Sequence, residues 1–170
     1  MNDVLKKPST GLVAGIVTVG MAIVVGSALA FEHIGGYIPC ALCLMQRNPY
    51  YIGIPLGVLA VLSVVFRLPA WITKTLLVAI GVLMVVGAGM GVYHSGVEWK
   101  FWEGPTSCSI TAAGAGSSGG DILAQLNEVK GPSCTEATLR VLGLSFAGWN
   151  VLTSIVLAAL AFWGATRKSA

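Results

Sequence analysis

Charge is what this sequence has least of. Asp, Glu, Lys and Arg make up 10% of its 170 residues, against about 25% in an average globular domain. The few charges are clustered, so that the windows 8–31, 48–66, 75–97 and 141–166 contain none at all. A soluble domain needs polar surface and a disordered chain needs low hydrophobicity, so both are excluded. Cysteine is scarce too: four residues are too few for a disulfide-dense secreted miniprotein. No run of basic residues offers a footprint for nucleic acid, and the formal net charge is only +3.

What fills the chain instead is apolar, at 55% of residues. A helix needs about 20 predominantly apolar residues to cross a hydrocarbon core about 30 Å thick. The charge-free windows are 19 to 26 residues long. The expectation is an all-α membrane protein, a four-transmembrane-helix bundle forming a single membrane domain over residues 1–170. The spans are expected at about 10–31, 44–66, 71–94 and 143–165, with outer loops at about 32–43 and 95–142. Lys6-Lys7, an apolar stretch and Ala28-Leu29-Ala30 imitate a cleavable signal peptide. The stretch 11–30 is longer than the usual signal core of about 7–15 residues, so it reads as a retained span.

The charges between the windows assign the sides. Lys6, Lys7, Arg67, Lys74, Arg167 and Lys168 fall on one side with only Asp3 as an acid. The other side holds Arg47, Lys100, Lys130 and Arg140 with the six remaining acids. The positive-inside rule makes the first side cytoplasmic, with both termini there. Tyr50, Tyr51, Trp71, Tyr93, Trp99 and Trp102 read as an interfacial aromatic belt. Gly11/Gly15, Gly53/Gly57 and Gly87/Gly91 read as close-packing points between helices. In the long outer loop the Gly- and Ser-rich run 114–120 precedes Asp121, an N-cap for a short amphipathic helix over 122–129.

All four cysteines, Cys40, Cys43, Cys108 and Cys134, lie on the side assigned as non-cytoplasmic. In bacteria that side is oxidising, so disulfides form and persist there. Cys40-Ala41-Leu42-Cys43 follows Pro39, which suits the first turn of a helix leading into the second span. Sulfurs at i and i+3 share a helix face, and the positive end of the helix dipole favours thiolate. Arg47, one turn deeper, could stabilise a thiolate or an anionic ligand, or simply snorkel to the interface. A zinc site, with His33 or His94 completing the ligands, and a pair of structural disulfides are the rival readings. The loose spacing of Cys108 and Cys134 suits thiol–disulfide exchange, which requires sulfurs that can approach one another and a partner.

The segment Ile38-Pro39-Cys40-Ala41-Leu42-Cys43-Leu44-Met45-Gln46-Arg47 resembles the P-C-x-L-C-x-x-x-R signature of the DsbB family of disulfide bond formation proteins. The resemblance extends to Tyr93-His94, to Cys108, and to Cys134 followed by Leu142-Gly143-Leu144-Ser145 and Trp149. It implies a membrane enzyme, a protein-disulfide:quinone oxidoreductase of the bacterial inner membrane with its cysteines facing the periplasm. On that likeness a Cys108–Cys134 disulfide is attacked by a reduced, periplasmic DsbA-like thioredoxin-fold partner, with Cys108 taking the mixed disulfide. Cys40 then exchanges with Cys134, and Cys43 passes electrons to bound ubiquinone, with menaquinone as the alternative. Arg47 and His94 are implied to bind or polarise the quinone, His94 otherwise being an interfacial histidine. The Gly- and Ser-rich loop, and Gln46 where some members carry an acid, depart from the family pattern. A vitamin K epoxide reductase-like enzyme and a non-enzymatic four-span scaffold are the competing functions.

Overall fold

The computed structural model describes residues 9–104, 134 and 139–167. The helix expected at 122–129 and Cys108 fall outside these residues. Four long helices carry the fold: α1 (Thr10–His33), α2 (Ala41–Val65), α3 (Ala70–Glu98) and α4 (Phe146–Thr166). All four are long and apolar enough to cross a membrane. The shortest has 21 residues and at 1.5 Å per residue runs about 32 Å, enough for the hydrocarbon core.

Local chemistry explains where the helices start. Ser9 and Ser145 cap α1 and α4 by accepting the amide protons of Leu12 and Gly148, the favoured N-cap arrangement. α2 is capped by Cys40, whose sulfur accepts from the Cys43 N–H at 3.3 Å. Cys40 therefore stands at the cap and not within the first turn. α2 continues through Pro49 and Pro55, each of which removes one backbone hydrogen bond.

The helices form a ring in which each touches its sequence neighbours and α4 closes on α1, with the broadest contact between α3 and α4. The core between them holds Val13, Val17, Met21, Tyr50, Ile80, Met84 and Ala161. Glycines let backbones approach: a Cβ at Gly53 would lie 2.7 Å from Met21 Sδ, and one at Gly91 would lie 2.7 Å from Val151 Cγ2. Gly15 is different, since a Cβ there would meet nothing within 4 Å. Polar contacts tie helices together inside the apolar bundle. Ser63 and Thr73 hydroxyls lie 2.6 Å apart, and Tyr50 bonds to Asn150 and Ser154, each at 2.7 Å. Interhelical hydrogen bonds of this kind contribute about 0.6–2 kcal/mol each.

Tyr50 corrects the aromatic belt read from the sequence. It is 1% exposed in the bundle core, because Asn150 and Ser154 on α4 satisfy its hydroxyl and let the ring be buried. Trp71, Trp99 and Trp102 are exposed. A two-stranded antiparallel hairpin, β1 (Arg140–Val141) and β2 (Leu144–Ser145), precedes α4 and adds to the all-helical plan. Its turn residues Leu142 and Gly143 both have positive φ, as a tight type I′ turn requires. The Trp149 indole N–H donates to the Val141 carbonyl at 2.9 Å and fixes the hairpin on α4.

Candidate functional site

The start of α2, the end of α3 and the first turn of α4 meet at one end of the bundle, and the polar residues concentrate there. Cys40 is 5% exposed, and its sulfur lies 2.8 Å from Cys43 Sγ and 3.7 Å from His94 Nε2. With the Cys43 amide also pointing at it, Cys40 Sγ is where the donors converge. The hydrogen bond from the Cys43 thiol, opposed by burial and reinforced by His94, lowers the Cys40 thiol from its ordinary 9.0 to about 4. Cys40 is thus the sulfur of the pair that this geometry favours as thiolate. Cys40 and Cys43 are both free.

The two sulfurs face different neighbours. Cys40 packs in one buried cluster with Leu42, Val97 and Cys134, with Cys43 at its margin. Cys134 is 1% exposed and is itself disulfide-bonded. Cys43, by contrast, lines a cavity of about 340 Å³ that Cys40 does not reach. The cavity walls are mostly apolar, from Val24, Phe31, Ile38 and Phe146, with Arg47, Gln46, His94 and Asn150 as the polar points. A mostly apolar cleft of this size with a few convergent polar groups suits a small ring-bearing ligand. The Arg47 guanidinium is paired with the Glu32 carboxylate at the cavity wall, its side chain 13% exposed. The pairing keeps the cation at the cavity wall.

His94 is 3% exposed, which removes the reading of it as a plain interfacial residue. The reason is a set of partners the apolar surroundings alone would not supply. Nδ1 lies 2.5 Å from the Gln46 amide nitrogen, and Nε2 lies 3.8 Å from the Glu98 carboxylate, itself 5% exposed. His33, by contrast, is exposed at the end of α1. The Cys40, Cys43 and His94 ligand atoms all fall within 4.8 Å of one another, so the trio that could take part in thiol chemistry could also ligate a thiophilic cation.

Residues 10–164 match the family described as disulfide bond formation protein DsbB. The chain belongs to the DsbB family. Disulfide bond formation protein B of Saccharophagus degradans is 26% identical over 98% of this chain and 99% of its own. Disulfide bond formation protein B of Cupriavidus metallidurans is 30% identical over 78% of each chain. An uncharacterized protein of Rickettsia prowazekii is 27% identical over 79% of this chain and 76% of its own. No solved structure matches the chain significantly. With four candidate spans, this is a multi-pass, DsbB-family disulfide bond formation protein.

Glu32, Glu98 and Asn150 were not singled out from the sequence for a role, and Tyr50 was read only as part of the aromatic belt. Asn150 carried a usable signal, since an amide inside a charge-free window must find a partner across the bundle. Glu98 sits four residues after His94, one helical turn along the same face, but nothing in the sequence tells that the end of α3 is covered.

Proposed function

We propose that this protein is a membrane thiol oxidase that reoxidises a soluble periplasmic dithiol protein of the DsbA type and delivers the electrons to a quinone, ubiquinone in the first instance. The single observation that carries the reading is the division between the two sulfurs of the CxxC pair. Cys40 shares a buried cluster with Cys134, and Cys43 lines the cavity. A relay needs one sulfur for the incoming disulfide and another for the sink.

The sequence of exchanges conserves electrons at each step. A partner thiolate attacks Cys108 of a Cys108–Cys134 disulfide, forming the mixed disulfide and releasing Cys134 as thiolate. Cys134 attacks Cys40 of a Cys40–Cys43 disulfide, and Cys43 leaves as thiolate. The second partner thiolate resolves the mixed disulfide, so the partner ends oxidised and Cys108 leaves as thiolate. Cys108 then attacks Cys134 of the Cys40–Cys134 disulfide, which restores Cys108–Cys134 and releases Cys40. Cys40 and Cys43 are left as the reduced pair that the quinone would oxidise. Membership in the family supports this order, as does the location of Cys134 beside Cys40.

The cavity fits a quinone headgroup: apolar walls for the ring, the Arg47 guanidinium as the donor for its oxygens, and His94 at the wall between the cavity and Cys40. A bound quinone supplies the sink for two electrons and two protons. Arg47, paired to Glu32, holds fixed positive charge at that wall, and Cys43 is the sulfur exposed to it. The Lys and Arg asymmetry of the loops supports cytoplasmic termini and a periplasmic site.

The test mixes purified protein, ubiquinone and a reduced thioredoxin-fold partner and follows quinone absorbance. Cys40→Ser and Cys108→Ser should each abolish turnover. Wild-type rates in either variant would sink the relay.

A further inference from the structure

His94 presents one nitrogen to Cys40 and the other to Gln46, so the chemistry of Cys40 depends on which nitrogen carries the proton. The hydrogen bonds around it decide that. The Gly87 carbonyl can only accept, and Asn150 Nδ2 donates to it at 3.3 Å, which fixes the Asn150 amide with its oxygen on the other side. That oxygen accepts from the Tyr50 hydroxyl at 2.7 Å. The same Asn150 nitrogen donates to Gln46 Oε1 at 2.7 Å. Gln46 must then turn its NH2 toward His94, where it meets Nδ1 at 2.5 Å. A nitrogen that accepts from an amide donor carries no proton. The proton of the neutral imidazole is left on Nε2, 3.7 Å from Cys40 Sγ and 3.8 Å from Glu98 Oε1.

We infer that Asn150 and Gln46 are positioning residues that lock His94 in the Nε2–H tautomer, so that it donates to the Cys40 sulfur. They touch neither sulfur of the pair in this arrangement and act through the histidine. The inference rests on the proposed thiol relay, in which Cys40 must serve as a nucleophile or a leaving group, and both roles are favoured by a donor that stabilises its thiolate. The orienting chain draws on three helices: Gly87 and His94 on α3, Asn150 on α4 and Gln46 on α2. Gln46 is 6% exposed, and its amide is held at both ends by protein partners.

The network makes a remote substitution informative. Asn150→Asp cannot donate to Gln46, so the Gln46 amide should flip, present its oxygen to Nδ1 and draw the proton there, leaving Nε2 bare toward Cys40. Gln46→Glu has no donor at all and should likewise place a proton on Nδ1. The experiment records the ring-nitrogen NMR signals of His94 in the reduced, full-length protein labelled with nitrogen-15 histidine, using His33→Gln to assign the two histidines. The expected result is Nε2–H with a bare Nδ1 in wild type, and a protonated Nδ1 in both variants. In Asn150→Asp, the Cys40 thiolate fraction at a fixed pH below its midpoint, read by alkylation and mass spectrometry, should fall about tenfold, one pH unit of midpoint. A wild-type His94 protonated on Nδ1, or variants that both keep the wild-type pattern, overturns the inference. Either result leaves the relay standing, because that is decided separately by turnover in Cys40→Ser and Cys108→Ser.

Discussion

Cys40 Sγ lies 2.8 Å from Cys43 Sγ, yet Cys40 is buried in one cluster with Cys134, while Cys43 sits at the margin of that cluster and lines the cavity. Two sulfurs three residues apart on one helix start are thereby made chemically unequal. Cys40 takes the capping position, so it collects the Cys43 amide and thiol and the His94 ring as donors. Cys43, one turn inward, has the cavity instead.

The inequality predicts a pH profile. With its thiol lowered to about 4 from 9.0, Cys40 in the reduced protein is thiolate at neutral pH and loses that form only as pH falls through about 4. Iodoacetamide should therefore modify Cys40 ahead of Cys43 at pH 6, by site-resolved mass spectrometry. The sign for stability follows from the same shift. The thiolate contributes to the reduced fold fully above the unfolded thiol's value, and that contribution is lost as pH falls toward the folded one. Preferential alkylation of Cys43 at pH 6 would contradict the assignment.

Arg47 should matter for affinity more than for the sulfur chemistry. Its guanidinium stands at the cavity wall, held by Glu32. Arg47→Met keeps an unbranched apolar stem and removes the charge and the fork of donors. The apparent KM for ubiquinone should rise about tenfold, a loss of about 1.4 kcal/mol, measured by quinone titration at saturating reduced partner. An unchanged KM would show that the cation does not serve the quinone.

His94 links the thiol pair to a buried carboxylate, so removing it should have two separable effects. Cys40 loses a hydrogen bond and an electrostatic contribution that both lower its thiol, so in His94→Leu its alkylation midpoint should rise. Glu98, 5% exposed and with one oxygen already unpartnered among the described residues, loses the ring nitrogen that faces its other oxygen. Leaving a buried polar group without a partner costs about 1–3 kcal/mol. Adding Glu98→Gln to His94→Leu should recover part of the stability without restoring the midpoint. Recovery of both together would mean that the midpoint reports general loosening of the site.

The four helices and the CxxC–Arg constellation were legible because both are local. Charge-free windows of spanning length need no tertiary information, and Cys40, Cys43 and Arg47 fall on one helix start. What was not legible depends on distant partners. Tyr50 reads as an interface residue until Asn150 and Ser154, a hundred positions away, are known to hold its hydroxyl. Gln46 reads as a departure from the family until its amide is seen between Asn150 and His94. The hairpin before α4 is two residues per strand, too short for an alternating pattern to announce it. Only Gly143 of its turn is a residue that such turns favour, since Leu142 takes a positive φ that leucine rarely adopts.

The glycines offer the last prediction, since residues of one type occupy opposite environments within the same pair of helices. At Gly57 a Cβ would run into the Thr18 side chain, lying 3.1 Å from Thr18 Cβ and closer still to its hydroxyl oxygen. That oxygen is held by its bond to the Ala14 carbonyl at 2.7 Å, and β-branched Thr has few rotamers in a helix. The neighbour cannot swing aside, so α1 and α2 must separate. Gly57→Ala should destabilise the protein by about 1–3 kcal/mol, the usual cost of overpacking. Gly15→Ala meets no atom within 4 Å and also gains helix propensity, so it should be neutral within about 0.5 kcal/mol or stabilising. Reversible unfolding in mixed micelles with increasing sodium dodecyl sulfate, followed by tryptophan fluorescence, measures both. Equal losses in the two variants would mean that α1 and α2 are not packed as described.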